Sequence, residues 1–387
     1  MQLRRPHYLV FEPRERPELA LHRLVAGADG GVAVEWVALA PHLECECVVQ
    51  ADDLGVFQAL CPGEEASRDA LAGTFGADRV ARLVAQGLLI GDHPAHALLR
   101  QRDACLREAG WWGPAALVQV FGRWRDVDVA AIERDEGRRT VHQLVRENGL
   151  PPHEVLALVG AEARIPLAAP TASPLDDLLM ARATCRNFDP APLPAVAVAA
   201  VLHRVFAARA ALELAPGATM LKKTSPSGGG LHPIEAFVLV QRVDGLAPGL
   251  YHYHCQAHAL EPMAGLSPDA AAQAAHELVA GQPWFAAAPV LVLMAARYPR
   301  TYWKYRGHAK AWKVVQLDAG HLSQTFYLAA TELGLGAFVT GAINDACGER
   351  LFGLDGLDIG PVAACGLGYR AASATVRELD PLGLAPR

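Results

Sequence analysis

A run of aromatic and basic residues carries the most chemistry in this sequence. Arg297-Tyr-Pro-Arg-Thr-Tyr-Trp-Lys-Tyr-Arg306 follows an apolar stretch and precedes a long predicted helix. Aromatic rings between Lys and Arg side chains can stack on a flat cofactor or on a peptide. Lys304 also adjoins Tyr305, and a nearby ammonium group lowers the pKa of a phenol, so the pair is a candidate for proton transfer. The alternative is that these are ordinary exposed side chains with no part in chemistry.

A second candidate site is a short segment with two Arg and one Thr. In Arg182-Ala-Thr-Cys-Arg-Asn-Phe188 the two guanidinium groups are four residues apart, with a hydroxyl between them. Such a set can bind a phosphate through charge-assisted hydrogen bonds. A solvated loop without a ligand is the alternative interpretation.

The third candidate is a glycine-rich loop, Lys222-Lys-Thr-Ser-Pro-Ser-Gly-Gly-Gly-Leu-His-Pro-Ile-Glu235. Three consecutive Gly allow the backbone to approach a planar ring or a phosphate more closely than a residue with a Cβ would. The alternative is a plain flexible turn. The following His-Pro and apolar stretch favour a loop held in one position.

These candidate sites alternate with predicted strands and helices, which indicates an α+β domain. Strands are predicted at 236–240, 249–253 and 289–295 from their apolar and β-branched residues. A long helix is predicted from Ala309 to Leu333, with Gly334-Leu-Gly336 as its end. The remaining helix predictions are 174–182 and the Ala-rich stretches 195–218 and 270–288.

Within the long helix, Val314, Leu317, His321, Leu322, Phe326, Ala329 and Leu333 share one predicted face at i+3/i+4 spacing. Ala319-Gly320 in its middle lowers helix propensity. We therefore expect a neighbouring backbone or a flat ligand to lie close to that point.

The first 95 residues have the pattern of a small separate domain. Short alternating apolar runs between Tyr8 and Val49 predict strands, and helices are predicted at 52–60, 67–75 and 78–86, followed by a strand at 87–90. A small sheet with three helices and a wing strand is a winged helix-turn-helix pattern. The third helix carries only Arg79 and Arg82, so we do not predict DNA binding.

Composition limits the class of protein. The chain has 387 residues, enough for two or three domains, and 35 Lys and Arg against 41 Asp and Glu give a net charge of −6. That charge disfavours a non-specific nucleic-acid binder. The start lacks the pattern of a secretory signal, and the longest apolar run, Phe285–Ala296, is too short to cross a bilayer. We expect a soluble, cytoplasmic protein whose 8 Cys stay reduced.

Taken in order, these motifs resemble the nitroreductase-like flavoproteins, and specifically the SagB-type dehydrogenases, which oxidise azolines in thiazole/oxazole-modified ribosomal peptides. The resemblance covers roughly residues 174–370. It depends on the following motifs: Arg182…Arg186-Asn-Phe188, Ser225-Pro-Ser-Gly-Gly-Gly-Leu-His-Pro-Ile-Glu235, Gly249-Leu-Tyr-His-Tyr253, Trp303-Lys-Tyr305, Asp318-Ala-Gly-His-Leu-Ser-Gln324, Gly334-Leu-Gly336 and Cys365-Gly-Leu-Gly368.

The resemblance implies an FMN-binding fold, a central mixed or antiparallel sheet flanked by helices, with the flavin at the interface of an intertwined homodimer. It implies that Arg182, Thr184 and Arg186 hold the FMN phosphate and ribityl chain. The other implied cofactor-binding residues are Ser225, Ser227, Gly228, Gly229 and His232 of the glycine-rich loop, Gln324 of the long helix, Thr340, Gly341, Gly368 and Arg370. Lys304 and Tyr305 match the pair implicated in azoline oxidation.

Two positions depart from the pattern of the family. Ala183 stands where a second Arg is usual, and Thr325 follows Gln324 where an Asn is common. A metal site is not expected, although His252, His254, Cys255 and His258 are the right residue types. The resemblance places that segment in a hairpin without a metal role.

The sequence therefore predicts three regions: a winged-helix-like domain at 1–95, a helical connection and linker at 96–170, and an FMN dehydrogenase domain at 171–387. The resemblance implies a precursor-peptide substrate, with a cyclodehydratase complex as a further candidate partner. The first domain would bind a leader peptide as an added strand. The alternative is a domain that stabilises the dimer or acts as a lid. An NAD(P)H-dependent nitroreductase acting on a small molecule and a non-catalytic leader-binding scaffold are the alternative functions.

Overall fold

The structure, a computed structural model, describes residues 1–18, 31–135 and 141–384. The strands in this part of the chain are β1 Gln2–Arg4, β2 Val10–Glu18, β3 Gly31–Leu39, β4 Glu46–Val49, β5 Ala66–Ser67, β6 Ile90–Gly91, β7 Leu193–Pro194, β8 Ala210–Ala215, β9 Ala218–Lys222, β10 Ile234–Val240, β11 Val243–Asp244, β12 Gly249–His254, β13 Ala259–Gly265, β14 Val290–Arg297, β15 Gly336–Thr340 and β16 Ile359–Gly368.

The helices of the described residues are α1 Leu54–Gln58, α2 Arg68–Phe75, α3 Ala77–Ala85, α4 Ala97–Glu108, α5 Gly113–Phe121, α6 Val129–Asp135, α7 Val141–Asn148, α8 Pro174–Ala181, α9 Ala195–Phe206, α10 Pro268–Leu278, α11 Pro283–Ala286, α12 Tyr298–Lys304, α13 Ala309–Glu332 and α14 Asp345–Phe352. No helix of this part of the chain is both long and apolar enough to span a bilayer. Ser67, Ser173 and Ser267 cap the starts of α2, α8 and α10 by accepting a backbone N–H bond.

The chain divides into two compact units. The first contains Met1–Arg123 together with two later segments, Ala296–Gln316 and Leu354–Gly360. The second contains Trp124–Ala295, Leu317–Gly353 and Pro361–Arg387. Helix α12, which carries Lys304, therefore belongs to the same compact unit as the N-terminal residues.

The first unit contains two three-stranded sheets, in the orders β5-β1-β6 and β2-β3-β4. Helices α1, α2 and α3 lie at the predicted positions, and each of their ends is within two residues of the predicted end. Their apolar side chains, among them Val56, Leu71 and Leu83, are buried in one core with Leu3 of β1. The predicted strand at 87–90 is present but shorter and later, at Ile90–Gly91.

The second unit is built on a six-stranded sheet in the order β13-β12-β10-β14-β16-β15. The pairs β10/β12, β12/β13 and β15/β16 are antiparallel. All three strands predicted from apolar runs are in this sheet. The rings of Phe285 and Phe338 stack at 4.0 Å between centroids in its core.

Three predictions about helices are wrong in part. The stretch 270–288 contains two separate helices, α10 and α11, because the chain turns at Gly281, whose φ is +70°, and Pro283 begins a new helix. The Ala-rich stretch 195–218 is not one helix, because α9 ends at Phe206 and β8 and β9 then form an antiparallel hairpin. Pro216 and Gly217, with φ of +76° at Gly217, supply the turn that an Ala-based helix prediction overlooks. In α13 the predicted face is only partly buried, since Leu317 is 52% exposed and Leu333 is 38% exposed.

The first unit contains a carboxylate that should make its stability depend on pH. Burial raises the pKa of Glu44, but hydrogen bonds from Arg102 and Arg123 outweigh it and bring the pKa to about 2. Because the pKa of Glu44 lies below its ordinary value of 4.5, this carboxylate stabilises the fold above pH 4.5. That contribution is lost as the pH falls towards about 2.

We expect Glu44→Gln to lower the free energy of unfolding by about 2 kcal/mol at pH 7, after allowance for partial exposure. Urea unfolding of both proteins between pH 7 and pH 2.5 measures this. The difference should shrink steadily below about pH 4.5. A difference independent of pH would contradict the assignment.

Candidate functional site

The segment with the two Arg lies against strand β15 of the second unit. Thr184 forms a parallel bridge with Ala337, and the Cys185 N–H donates to the Ala337 carbonyl at 2.8 Å. Gly336 permits this approach, because a Cβ there would lie 2.6 Å from the Cys185 Sγ and 2.9 Å from the Arg370 Cγ. The backbone of the segment is therefore fixed to the edge strand of the sheet.

The two guanidinium groups of this segment lie over aromatic rings. Arg182 is 5.3 Å from the ring centre of Tyr327, and Arg186 is 5.7 Å from that of Phe285. Within the described residues neither guanidinium group forms a hydrogen bond or an ion pair with a carboxylate. The Thr184 hydroxyl shares a hydrogen bond of 3.0 Å with the Tyr327 hydroxyl. Two cationic groups and a hydroxyl are thus presented on one segment, as an anion such as phosphate requires.

The C-terminal part of the chain holds this segment through Glu378, a residue that the sequence prediction missed. Its carboxylate accepts hydrogen bonds from the backbone N–H of Arg186 and of Asn187 and from the Asn187 side chain. Arg370 donates to the same carboxylate at 2.6 Å and to the Ala183 carbonyl at 2.7 Å. The Arg370 guanidinium is thus bonded to Glu378 and Ala183 of the same chain. A cavity of about 150 Å³ lies beside Arg370 and Glu378.

The glycine-rich loop is held by Asp318 of α13. The Ser227 hydroxyl donates to one carboxylate oxygen of Asp318, and the Gly228 N–H donates to the other at 3.0 Å. The His232 N–H donates to the Ser227 oxygen at 2.9 Å, which closes the loop. Gly229 and Gly230 have φ of +67° and +71°, values that favour glycine. The loop is therefore positioned, as predicted, and the plain flexible turn is excluded.

Asp318 is an unusual anchor because it is only 2% exposed. Burial raises the pKa of its carboxyl group, and the hydrogen bonds from Ser227 and Gly228 oppose that shift. Lys223, which is 4% exposed, lines the same small cavity as Asp318 and His232. The sequence analysis named Asp318 only as part of a motif and Lys223 only as part of the glycine-rich loop segment, and neither was among the predicted cofactor-binding residues.

Helix α13 contributes further residues to this loop. The Thr325 hydroxyl lies 2.7 Å from the Ser225 hydroxyl, so the residue that departs from the usual Asn still contacts the loop. Gln324 is exposed on the same helix. A Cβ built at Gly320 would meet nothing within 4 Å among the described residues. No backbone of the described residues therefore packs against the helix at that point.

The last two predicted cofactor-binding segments lie at the C-terminal ends of strands β15 and β16. Thr340 is buried and its hydroxyl accepts the Ala342 N–H at 3.1 Å, whereas Gly341 is exposed with open space beside it. Gly368 has a packing role, because a Cβ there would lie 2.5 Å from Pro289 and 2.8 Å from Phe188.

Lys304 and Tyr305 lie in the first unit, at the end of α12. The Lys304 Nζ lies over the Tyr305 ring, 5.5 Å from its centre. Lys304 and Trp303 are exposed. Beside them an open cavity of about 310 Å³ is lined by Arg297, Arg300 and Trp303, among others.

The His-rich segment does not form a metal centre in the described part of the chain. No group of three or more His, Cys, Asp or Glu residues there could hold a metal ion. His252 instead lies between two carboxylates, with Glu261 at 2.7 Å and Glu235 at 3.4 Å. These carboxylates raise the pKa of His252 against the opposing effect of burial.

We expect Gly336→Ala to destabilise the second unit by about 1–3 kcal/mol, because the added methyl group would overlap Cys185 and Arg370. Urea unfolding measures the change. Gly265→Ala is the matched control, since a Cβ there meets nothing within 4 Å. Equal stabilities of the two variants would contradict the close packing described for Gly336.

The model of the Nitroreductase family matches residues 179–369. The nitroreductase-family protein MJ1384 of Methanocaldococcus jannaschii is 32% identical over 176 residues, which are 44% of this chain and 80% of that protein. The chain therefore belongs to the nitroreductase family, whose members are flavin-binding oxidoreductases.

Two further similarities are to a trifolitoxin-processing protein and to a microcin synthetase complex. The trifolitoxin-processing protein TfxB of Rhizobium leguminosarum bv. trifolii is 31% identical over 138 residues, 35% of this chain and 36% of TfxB. The chain thus matches about a third of the length of that relative. A solved structure of the E. coli microcin synthetase McbBCD complex with truncated pro-MccB17 aligns with a TM-score of 0.44 and 18% identity, covering 69% of this chain and 97% of that one.

Proposed function

We propose that this protein is a SagB-type, FMN-dependent dehydrogenase that oxidises a ribosomally made precursor peptide, converting azoline rings into azoles. The observation that carries the proposal is the neighbouring ammonium and phenol of Lys304 and Tyr305 in a chain of the nitroreductase family. The similarity to a trifolitoxin-processing protein supports a peptide substrate.

The residues of the second unit fit FMN. Arg182, Arg186 and Thr184 would bind the phosphate, since both guanidinium groups have no other acceptor in the described residues and the segment is fixed to β15. Arg370 would act through its hydrogen bonds to the segment, because its own guanidinium is bonded to Glu378 and Ala183.

The remaining cofactor contacts come from two regions. Ser225, Ser227, Gly228, Gly229 and His232 would lie along the ring system, in the conformation that Asp318 imposes. Gln324 would approach from α13 beside the open space at Gly320. Thr340, Gly341 and Gly368 would complete the site at the strand ends.

Lys304 and Tyr305 would handle the proton of the reaction. Conversion of an azoline to an azole removes two electrons and two hydrogens, one as a hydride and one as a proton. FMN, when bound, supplies the two-electron acceptor. Tyr305, assisted by the ammonium group of Lys304, would remove the proton from the ring carbon.

The first unit would recruit the peptide. Its β5-β1-β6 sheet with helices α1, α2 and α3 has the element order of a winged-helix domain, and a leader peptide would be bound as an added strand. We further propose a cytoplasmic homodimer that works beside a cyclodehydratase complex, which would supply the azoline.

Mass spectrometry tests the proposal. A precursor peptide encoded beside this protein and already carrying azolines is incubated with the FMN-loaded protein. We expect each modified site to lose two hydrogens, about 2 Da, and the fragment ions to locate the site. Protein stripped of FMN is the control. Rapid NAD(P)H oxidation with a nitroaromatic compound and no change in any peptide would instead favour the small-molecule nitroreductase, and binding without either reaction would favour the scaffold.

A further inference from the structure

Helix α12 is attached to the N-terminal part of the chain by its buried face. Tyr298, Thr301 and Tyr302, at spacing i, i+3 and i+4, are at most 1% exposed, whereas Trp303 and Lys304 point outward. Trp111, which is itself 1% exposed, packs against this face. Its ring centre is 4.5 Å from that of Tyr298 and 4.8 Å from that of Tyr302.

Hydrogen bonds hold both ends of the helix to residues 108–119. The Tyr298 hydroxyl donates to the Gln119 side chain at 2.6 Å. Just beyond Tyr305, the Gly307 N–H donates to the Gly110 carbonyl at 2.7 Å, and Arg306 donates to the Glu108 carbonyl at 2.9 Å. Lys304 and Tyr305 therefore lie between two points of attachment to the same N-terminal segment.

Trp111 connects this attachment to the start of the chain. The Tyr8 hydroxyl donates to the Trp111 carbonyl, and the Tyr8 ring lies so close to Gly113 that a Cβ there would be 2.8 Å away. The Trp111 indole N–H has no hydrogen-bond partner in the described residues. The ring therefore holds α12 by packing, which another large aromatic side chain could largely reproduce.

We propose that Trp111 is a positioning residue: by packing against α12 it holds Lys304 and Tyr305 in place within the first unit. The inference rests on the proposed function, because those two residues are taken as the proton-transfer pair. Proton transfer needs the acceptor within hydrogen-bond reach of the reacting atom, and a displacement of about 1 Å can cost about 100-fold in rate. Peptide recruitment and peptide oxidation would then share one folded unit and could not be separated into independent modules.

Hydrogen exchange and steady-state kinetics of Trp111→Ala in the FMN-loaded full chain test this proposal. Trp112→Ala is the matched control, because Trp112 is 38% exposed and makes no ring contact with α12. We expect Trp111→Ala to speed amide exchange in 298–307 about tenfold and to lower kcat for peptide oxidation about tenfold or more, with KM within about twofold. The pH profile of kcat should also shift, because the proton acceptor is displaced, and Trp111→Phe should restore both readouts.

FMN content and chemical reduction of the flavin should stay at wild-type values, because no residue of the proposed flavin site is changed. Arg306→Ala is a milder second variant that removes the exposed bond to Glu108 and the packing of the Arg306 side chain on Gly110, and we expect about a threefold lower kcat. The proposal is overturned if Trp111→Ala behaves like Trp112→Ala, or if Trp111→Phe fails as badly as Trp111→Ala. It is also overturned if exchange rises equally in the flavin-binding strands.

The two proposals can fail separately. If the wild-type protein does not oxidise the peptide, the proposed function is wrong, and the exchange of 298–307 alone then decides whether Trp111 holds α12. If the wild type oxidises the peptide and the exchange and kcat of Trp111→Ala are unchanged, only the positioning role is wrong.

Discussion

Replacing Tyr305 with Phe or Lys304 with Ala should lower the rate of peptide oxidation by about 100- to 10,000-fold, the range typical of lost general acid–base catalysis. Tyr305→Phe removes the oxygen that accepts the proton. Lys304→Ala removes the ammonium 5.5 Å from the centre of that ring, and with it the group proposed to assist Tyr305. Single-turnover oxidation of the peptide, followed by mass spectrometry, measures the step directly.

Both variants should retain FMN, because Lys304 and Tyr305 are not among the residues proposed to bind it. Two matched controls are available. Lys310→Ala changes an exposed Lys in the following helix, and Tyr251→Phe removes a surface hydroxyl bonded to the Ala247 carbonyl. If the controls lose as much activity as the two variants, or if Tyr305→Phe keeps wild-type turnover, the proton-transfer role is excluded and the flavin chemistry is left in place.

Replacing Arg182 with Ala should weaken FMN binding about 10- to 100-fold, the effect of losing a hydrogen bond to a charged group. The guanidinium lies over Tyr327 and has no carboxylate partner in the described residues, so it is available to a phosphate. Fluorescence titration of the flavin-free protein with FMN measures the affinity. Riboflavin, which lacks the phosphate, should bind Arg182→Ala and the wild type equally.

Arg350→Ala is the control for this experiment, because Arg350 is an exposed residue paired with Glu277. It should bind FMN as the wild type does. An equal loss of riboflavin binding in Arg182→Ala would show that the substitution disturbs the fold of the segment. Unchanged FMN affinity would contradict the proposal that Arg182 binds the phosphate.

Local patterns in the sequence were sufficient to predict many strands and helices of the second unit. The apolar runs that became β10, β12 and β14 and the long helix α13 were predicted because residue periodicity and capping depend on neighbours in the chain. The stretch 195–218 was mispredicted because Ala content favours helix, whereas the pairing of β8 with β9 depends on a turn at Pro216-Gly217.

The candidate site was predicted as a set of separate loops, and their connections were not. Glu378 accepts a hydrogen bond from the N–H of Arg186, 192 residues away in the chain. Asp318 accepts one from the N–H of Gly228, 90 residues away. No local pattern marks such a carboxylate, because its role depends on which distant backbone groups the fold brings to it. The sequence also implied one C-terminal domain that contained Lys304 and Tyr305, whereas α12 is part of the compact unit formed by the N-terminal residues.

The sequence by itself determined the family, the chemical groups and their order along the chain, because motif residues and element periodicity are local properties. Only the tertiary structure decided which groups support one another: Glu378 with the Arg182–Asn187 segment, Asp318 with the glycine-rich loop, and Trp111 with α12. The physical reason is that buried packing and buried hydrogen bonds join residues far apart in the chain, and their energies depend on the complete fold.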